Sequence, residues 1–102
     1  MQPVTITLSK PLDSHQGALR TLTIKEPTAR QFVSHGEPFK ISLRADGSPD
    51  IEINNKAMFA FISDLSGVDE IALEELSGSD FNKARQAVIS LVLGTTGAEN
   101  PS

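Results

Sequence analysis

The residues of this chain that are able to do acid–base, nucleophilic or metal chemistry do not stand at working spacings. The two histidines, His15 and His35, sit beside turn residues in His15-Gln16-Gly17 and His35-Gly36. They have no metal-ligand spacing with each other, nor with a carboxylate on a shared helix face, so they read as solvated loop histidines. Serine is plentiful, yet no Gly-x-Ser-x-Gly elbow is present to expose a nucleophile. Ser66-Gly67 and Ser77-Gly78-Ser79 read instead as helix boundaries. A Ser/His/Asp triad assembles in space rather than in sequence, but a chain of this size with few aromatics rarely builds both a core and a shaped pocket. Gly94 and Gly97 flank Thr95-Thr96 without the lysine of a phosphate loop. The acidic set Asp64, Asp69, Glu70, Glu74 and Glu75 lacks the alternating oxygen ligands of a calcium loop and reads as a solvated helix face. No catalytic residue, cofactor or metal ligand is assigned, and the expectation is a binding protein rather than an enzyme.

What remains is apolar surface. The terminal stretch Asp80 to Leu93 has a main stripe of Phe81, Ala84, Val88 and Leu91, and Ile89, Val92 and Leu93 widen it. A surface helix normally turns a single stripe to the core. The surplus is either a deeply buried core helix or a contact face for a partner helix or a second copy. Phe81, Val88, Leu91 and Val92 are the candidate partner contacts.

Composition sets the frame for these elements. The chain has 102 residues, enough for one small domain; residues 1–94 are expected to form it and 95–102 to be a flexible polar tail. Hydrophobic residues make up 38%, with five Phe and neither Trp nor Tyr, so the core is thin. The net charge of −4, with nine scattered basic residues, argues against a nucleic-acid binder, which needs clustered cations. The absence of cysteine suits a reducing compartment. Neither a signal peptide nor a run of the ~20 apolar residues that a membrane span requires is read in it.

Hydropathy patterning then gives the elements. Val4, Ile6 and Leu8 alternate with threonines, the period-2 signature of a half-buried strand. Pro11 is expected to end it, since proline cannot donate to a ladder. After a polar connection through Asp13, Ser14 and Gly17, Leu22 and Ile24 mark a second strand and hence a hairpin with a loop longer than the tightest turns. Glu26-Pro27-Thr28 reads as a stop followed by a cap for a short helix over 29–34, ended by Gly36. Phe39, Ile41 and Leu43 predict a third strand, Asp46-Gly47-Ser48-Pro49 a turn, and Ile51 and Ile53 a fourth strand. Met58, Phe61, Ile62 and Leu65 then fall on one helix face, capped by Asn54 or Asn55 and stopped by Gly67. A helical period continues from Val68 to Leu76. Ser79 is expected to cap the last helix, with Asp80 in its first turn and Gly94 as its stop. The fold class is α+β: an N-terminal β-hairpin, or an antiparallel sheet of up to four strands, packed with two to three C-terminal helices.

These residues also carry a resemblance. The phrase Leu8-Ser9-Lys10-Pro11-Leu12, the glycine at Gly17, the strand from Leu22 running into Glu26-Pro27-Thr28, the apolar segment Phe61 to Gly67, and the closing Leu76 to Leu93 with Asp80 resemble the tail assembly chaperones of Mu-like, contractile-tailed phages. The strand-like stretch 39–54 departs from that pattern. The resemblance implies a non-enzymatic protein of the host cytoplasm, absent from the mature virion, that binds the tape-measure protein and keeps it soluble while the tail tube assembles. It also implies a frameshift-extended form of the same chain as a further partner, with 94–102 as the place for the switch. A homo-oligomer is a further expected partner; a structural tube or terminator component and a self-associating binding module are the rival readings.

Overall fold

The computed structural model describes residues 3–97. β1 (Val4–Ser14) and β2 (Gly17–Ile24) form an antiparallel hairpin. Its turn is only the two residues His15-Gln16, shorter than the sequence suggests. Gly17 takes φ 102°, which a Cβ would disfavour, and Ser14 Oγ donates to the Gly17 carbonyl at 2.9 Å. The ladder runs from Val4↔Ile24 to Thr7↔Thr21, breaks, and resumes at Leu12↔Leu19. Between the two stretches β1 holds four residues, Leu8-Ser9-Lys10-Pro11, opposite the single Arg20. Pro11 therefore does not end the strand. It sits in a bulge, where no ladder donor is required of it. Leu8 and Leu12, on either side of the bulge, both turn into the core.

Lys25 N–H donates to the Leu65 carbonyl at 3.0 Å, which docks the end of β2 on the helix above it. Thr28 is the N-cap of α1 (Ala29–His35), and the Gln31 side chain reaches back to accept from Thr28 N–H at 2.8 Å. β3 (Phe39–Leu43) and β4 (Pro49–Ile53) pair with Ile41 opposite Ile51. They make a second two-stranded ribbon, separate from β1–β2, so the four strands do not join in one sheet. Only the ribbon's base, Phe39 and Ile53, packs on the core.

α2 (Asn55–Ser66) buries Ala57, Met58, Phe61, Ile62 and Leu65, the predicted stripe. Asn54 caps it by accepting from Ala57 N–H at 3.2 Å. Gly67 closes it in the left-handed region at φ 75°. The expected helical run from Val68 to Leu76 shrinks to one short turn, α3 (Glu70–Leu73). α4 spans Gly78–Gly97. Ser77, not Ser79, caps it: its Oγ accepts from Asp80 N–H at 3.2 Å and its carbonyl from Phe81 N–H at 2.9 Å. The helix passes through Gly94 rather than stopping there. Of the expected tail, 95–97 is helical and 98–102 lies outside the described residues.

The core is the space between the β1–β2 hairpin, α2 and α4. Leu22 and Ile24 from the hairpin meet Met58, Phe61 and Ile62 from α2 and Ala84 and Val88 from α4, each no more than 1% exposed. α4 packs on both strands of the hairpin and on α2. That double contact explains why its apolar surface is wider than one stripe. Among the described residues no helix is long and apolar enough to cross a membrane.

Candidate functional site

Among the described residues three places are candidates for a site. The first joins the two ends of the chain. Asp80, in the first turn of α4, is 1% exposed. Both of its carboxylate oxygens accept from Ser9 N–H at 3.0 Å, and Oδ2 also accepts from Ser9 Oγ at 2.9 Å. The bulge in β1 turns the Ser9 amide away from the ladder and toward the helix. Burial by itself would push the Asp80 carboxyl up. The bonds from Ser9 and Ser77, with the Lys83 ammonium 3.7 Å away, outweigh it and hold the group below the usual carboxylate range. This is a latch of charge-assisted hydrogen bonds between residues 71 positions apart, and it contains no nucleophile–base pair.

The second place ties α1 to α2. His35 Nε2 donates to Asp64 Oδ2 at 3.0 Å, and Gln31 Nε2 donates to the same oxygen at 3.3 Å. The bond from His35 does most to lower the Asp64 carboxyl, burial opposes it, and Gln31 adds to the lowering. The His35 ring lies edge-on to Phe61 at 5.8 Å, and Phe32 meets the same ring at 5.1 Å. His35 is thus a packed, bonded histidine and not a solvated one. Asp64 holds it rather than forming part of a free acidic face. His15 is exposed at the hairpin turn.

The third place is an apolar groove of about 430 Å³ where α2, the α3 segment and the start of α4 converge. Phe59 comes from α2, Leu73 and Leu76 from the short helix and its turn, and Phe81 from α4. The two rings meet edge to face at 5.9 Å. Leu73, at 1% exposure, closes the floor against the core. Lys56 and Glu74 stand at the lips. Arg85 lies over the Phe81 ring at 5.0 Å and reaches Asn55 and Asn82 with its terminal nitrogens. A volume of this size, apolar inside and charged at the rim, accepts a few large aliphatic or aromatic side chains. Among the described residues no group of three or more His, Cys, Asp or Glu is placed to hold a metal ion.

The predicted contact residues divide. Val88 is fully buried and Leu91 is 4% exposed, so both pack in the core and offer no free face. Val92 is half-buried against that core, and Phe81 alone lines the groove. The motif residues hold the fold together. Leu8 and Leu22 are core, Pro11 lies in the bulge, Gly17 shapes the turn, Pro27 is buried beside the half-buried Glu26, Thr28 caps α1, and Asp80 grips Ser9. Phe59 is the groove residue that the hydropathy pattern does not single out: it follows Met58 and falls off the main α2 stripe. An off-stripe aromatic on a short helix is the signal that points to it.

No curated protein and no solved structure matches the chain. A known family does match it: phage tail assembly chaperone proteins, described as E, or 41 or 14, over residues 5–92. That span takes in the bulge, the Ser9–Asp80 latch, the groove and the first three quarters of α4, and the chain belongs to the phage tail assembly chaperone family.

Proposed function

We propose that this protein is a non-enzymatic tail assembly chaperone whose client is the tape-measure protein, and that the Phe59–Leu73–Leu76–Phe81 groove is where the client docks. The family match carries the chaperone role; the groove supplies a physical means. A tape-measure chain is long, helical and apolar along its faces, so it aggregates before tube subunits sheathe it. An amphipathic helix lays its i, i+3, i+4 side chains into an apolar groove of this kind. The chaperone's net charge of −4 then keeps the covered client soluble. One short groove gives weak affinity, and many copies along a repetitive client compensate through effective concentration. The protein works in the host cytoplasm and leaves before the tail is finished.

The test is co-expression with the tape-measure protein of the same phage. Wild type raises the soluble fraction of the client. Phe59→Gln and Leu76→Gln, both at half-buried positions on the groove wall, abolish that effect while the far-ultraviolet spectrum stays native. Undiminished solubilisation by both folded variants would mean that the client docks elsewhere than in the groove.

A further inference from the structure

Among the described residues six large apolar side chains are notably exposed, and three of them, Ile41, Leu43 and Ile51, lie on one face of the β3–β4 ribbon at 49%, 74% and 46%. The register places Ile41 opposite Ile51 and Leu43 opposite Pro49, so this face is apolar from base to tip. Lys40, Ser42, Asp50 and Glu52 occupy the other face. An isolated two-stranded ribbon is marginal in water, and a third strand or a covering layer is what normally stabilises it.

The hydrogen bonding identifies the edge that is open. Asn54 N–H donates to the Pro38 carbonyl and Arg44 N–H to the Ser48 carbonyl. Residues 38, 40, 42 and 44 therefore point their backbone groups at β4, and Phe39, Ile41 and Leu43 point theirs outward. On β4 the outward residues are Pro49, Ile51 and Ile53, and Pro49 has no N–H to give.

Charge separates the two edges as well. A second copy pairing β4 with β4 about Ile51 would set Asp50 against the other copy's Glu52 twice, a like-charge clash, and would put Pro49 in the ladder. Pairing β3 with β3 about Ile41 sets Lys40 against Ser42 and Phe39 against Leu43, with no like charges opposed. We propose that β3 is a self-association edge: two copies pair antiparallel through residues 39–43 on a two-fold axis at Ile41. The product is a two-fold dimer with a four-stranded sheet ordered β4-β3-β3-β4 and one continuous apolar face. The inference rests on the ribbon alone and stands whether or not the groove binds a client.

The chain has no cysteine, which allows a direct test. In Ile41→Cys the two new thiols face each other across the axis, with Cα atoms about 5.5 Å apart, within disulfide range. Mild oxidation yields a covalent dimer. Ile51→Cys, one strand farther from the axis in each copy, does not cross-link. Wild type sediments from 10.9 kDa toward twice that mass as concentration rises. Ser42→Lys, which places like charges across the interface at two sites while facing Asp50 within its own ribbon, weakens dimerisation by roughly tenfold. A wild type that stays monomeric at every concentration would overturn the proposal, as would equal cross-linking of both cysteine variants. Cross-linking of Ile41→Cys only to a co-expressed client would also overturn it and assign the edge to the client.

Discussion

Replacing Asp80 with asparagine probes the contact that joins the two ends of the fold. The carboxylate accepts three contacts from Ser9 and stands at the start of α4. Asparagine keeps the shape and one acceptor, but it turns an N–H₂ toward the Ser9 donors and removes the charge. The loss of one charge-assisted hydrogen bond costs about 1.5–3 kcal/mol. The lost interaction with the helix dipole adds about 0.3–1 kcal/mol. A total of about 2–4 kcal/mol is a large share of the roughly 5–15 kcal/mol expected for a domain of this size, and lowers the midpoint of thermal unfolding by roughly 10–30 °C. The pH dependence is a second signature. The folded-state pKa of Asp80 is depressed, so its stabilisation is complete above the unfolded value near 3.9 and disappears as pH falls through the folded value. Urea unfolding of wild type and Asp80→Asn, followed by far-ultraviolet circular dichroism from pH 7 to pH 2, reads both effects. The gap between the two proteins is constant above about pH 5 and closes below about pH 4. A gap under about 0.5 kcal/mol at pH 7, or one that does not narrow in acid, would refute the latch as a source of stability.

Leu91→Asp buries an unpaired charge at a position 4% exposed and abolishes the cooperative unfolding transition; a folded Leu91→Asp protein would mean that α4 is not core. Gly67→Ala costs about 1–2 kcal/mol in urea unfolding, because Gly67 holds φ +75° at the end of α2, and space is not the obstacle since nothing lies within 4 Å of the added Cβ. Asp64→Asn weakens the His35 and Gln31 contacts by no more than about 1 kcal/mol, since Asp64 is partly exposed. Its pKa is lowered in the folded state, so this difference is present at neutral pH and fades in acid below about pH 4.

Much of the fold is legible in the sequence because its signals are local. The alternation through Val4, Ile6, Leu22 and Ile24 identifies the first hairpin, and the Met58–Phe61–Ile62–Leu65 spacing identifies α2. What escapes reading is set by contacts between distant segments. Pro11 looks like a strand end, since nothing nearby tells that β1 bulges to meet Asp80 on α4. His35 looks solvated because its partner, Asp64, lies 29 residues on. Gly94 looks like a stop, yet one glycine costs only about 1 kcal/mol against alanine inside a helix, and α4 continues past it. The apolar surplus of α4 is correctly visible, but its use is not. Val88 and Leu91 are buried in the core, while the groove is lined by Phe59, Leu73, Leu76 and Phe81, assembled from three elements. Each ribbon's turn fixes its own pairing, and no signal in the sequence specifies that the two ribbons stay separate.

The proposed tape-measure client is open to an affinity pulldown of the tagged chain from cells expressing the tail genes of its own phage, read by mass spectrometry. The expected result is recovery of a very long, helical, tape-measure protein in excess over tube and baseplate subunits, together with absence of the chaperone from purified virions. Recovery of tube or baseplate proteins alone, with the chain present in finished particles, would contradict it and mark the protein as a structural part of the tail.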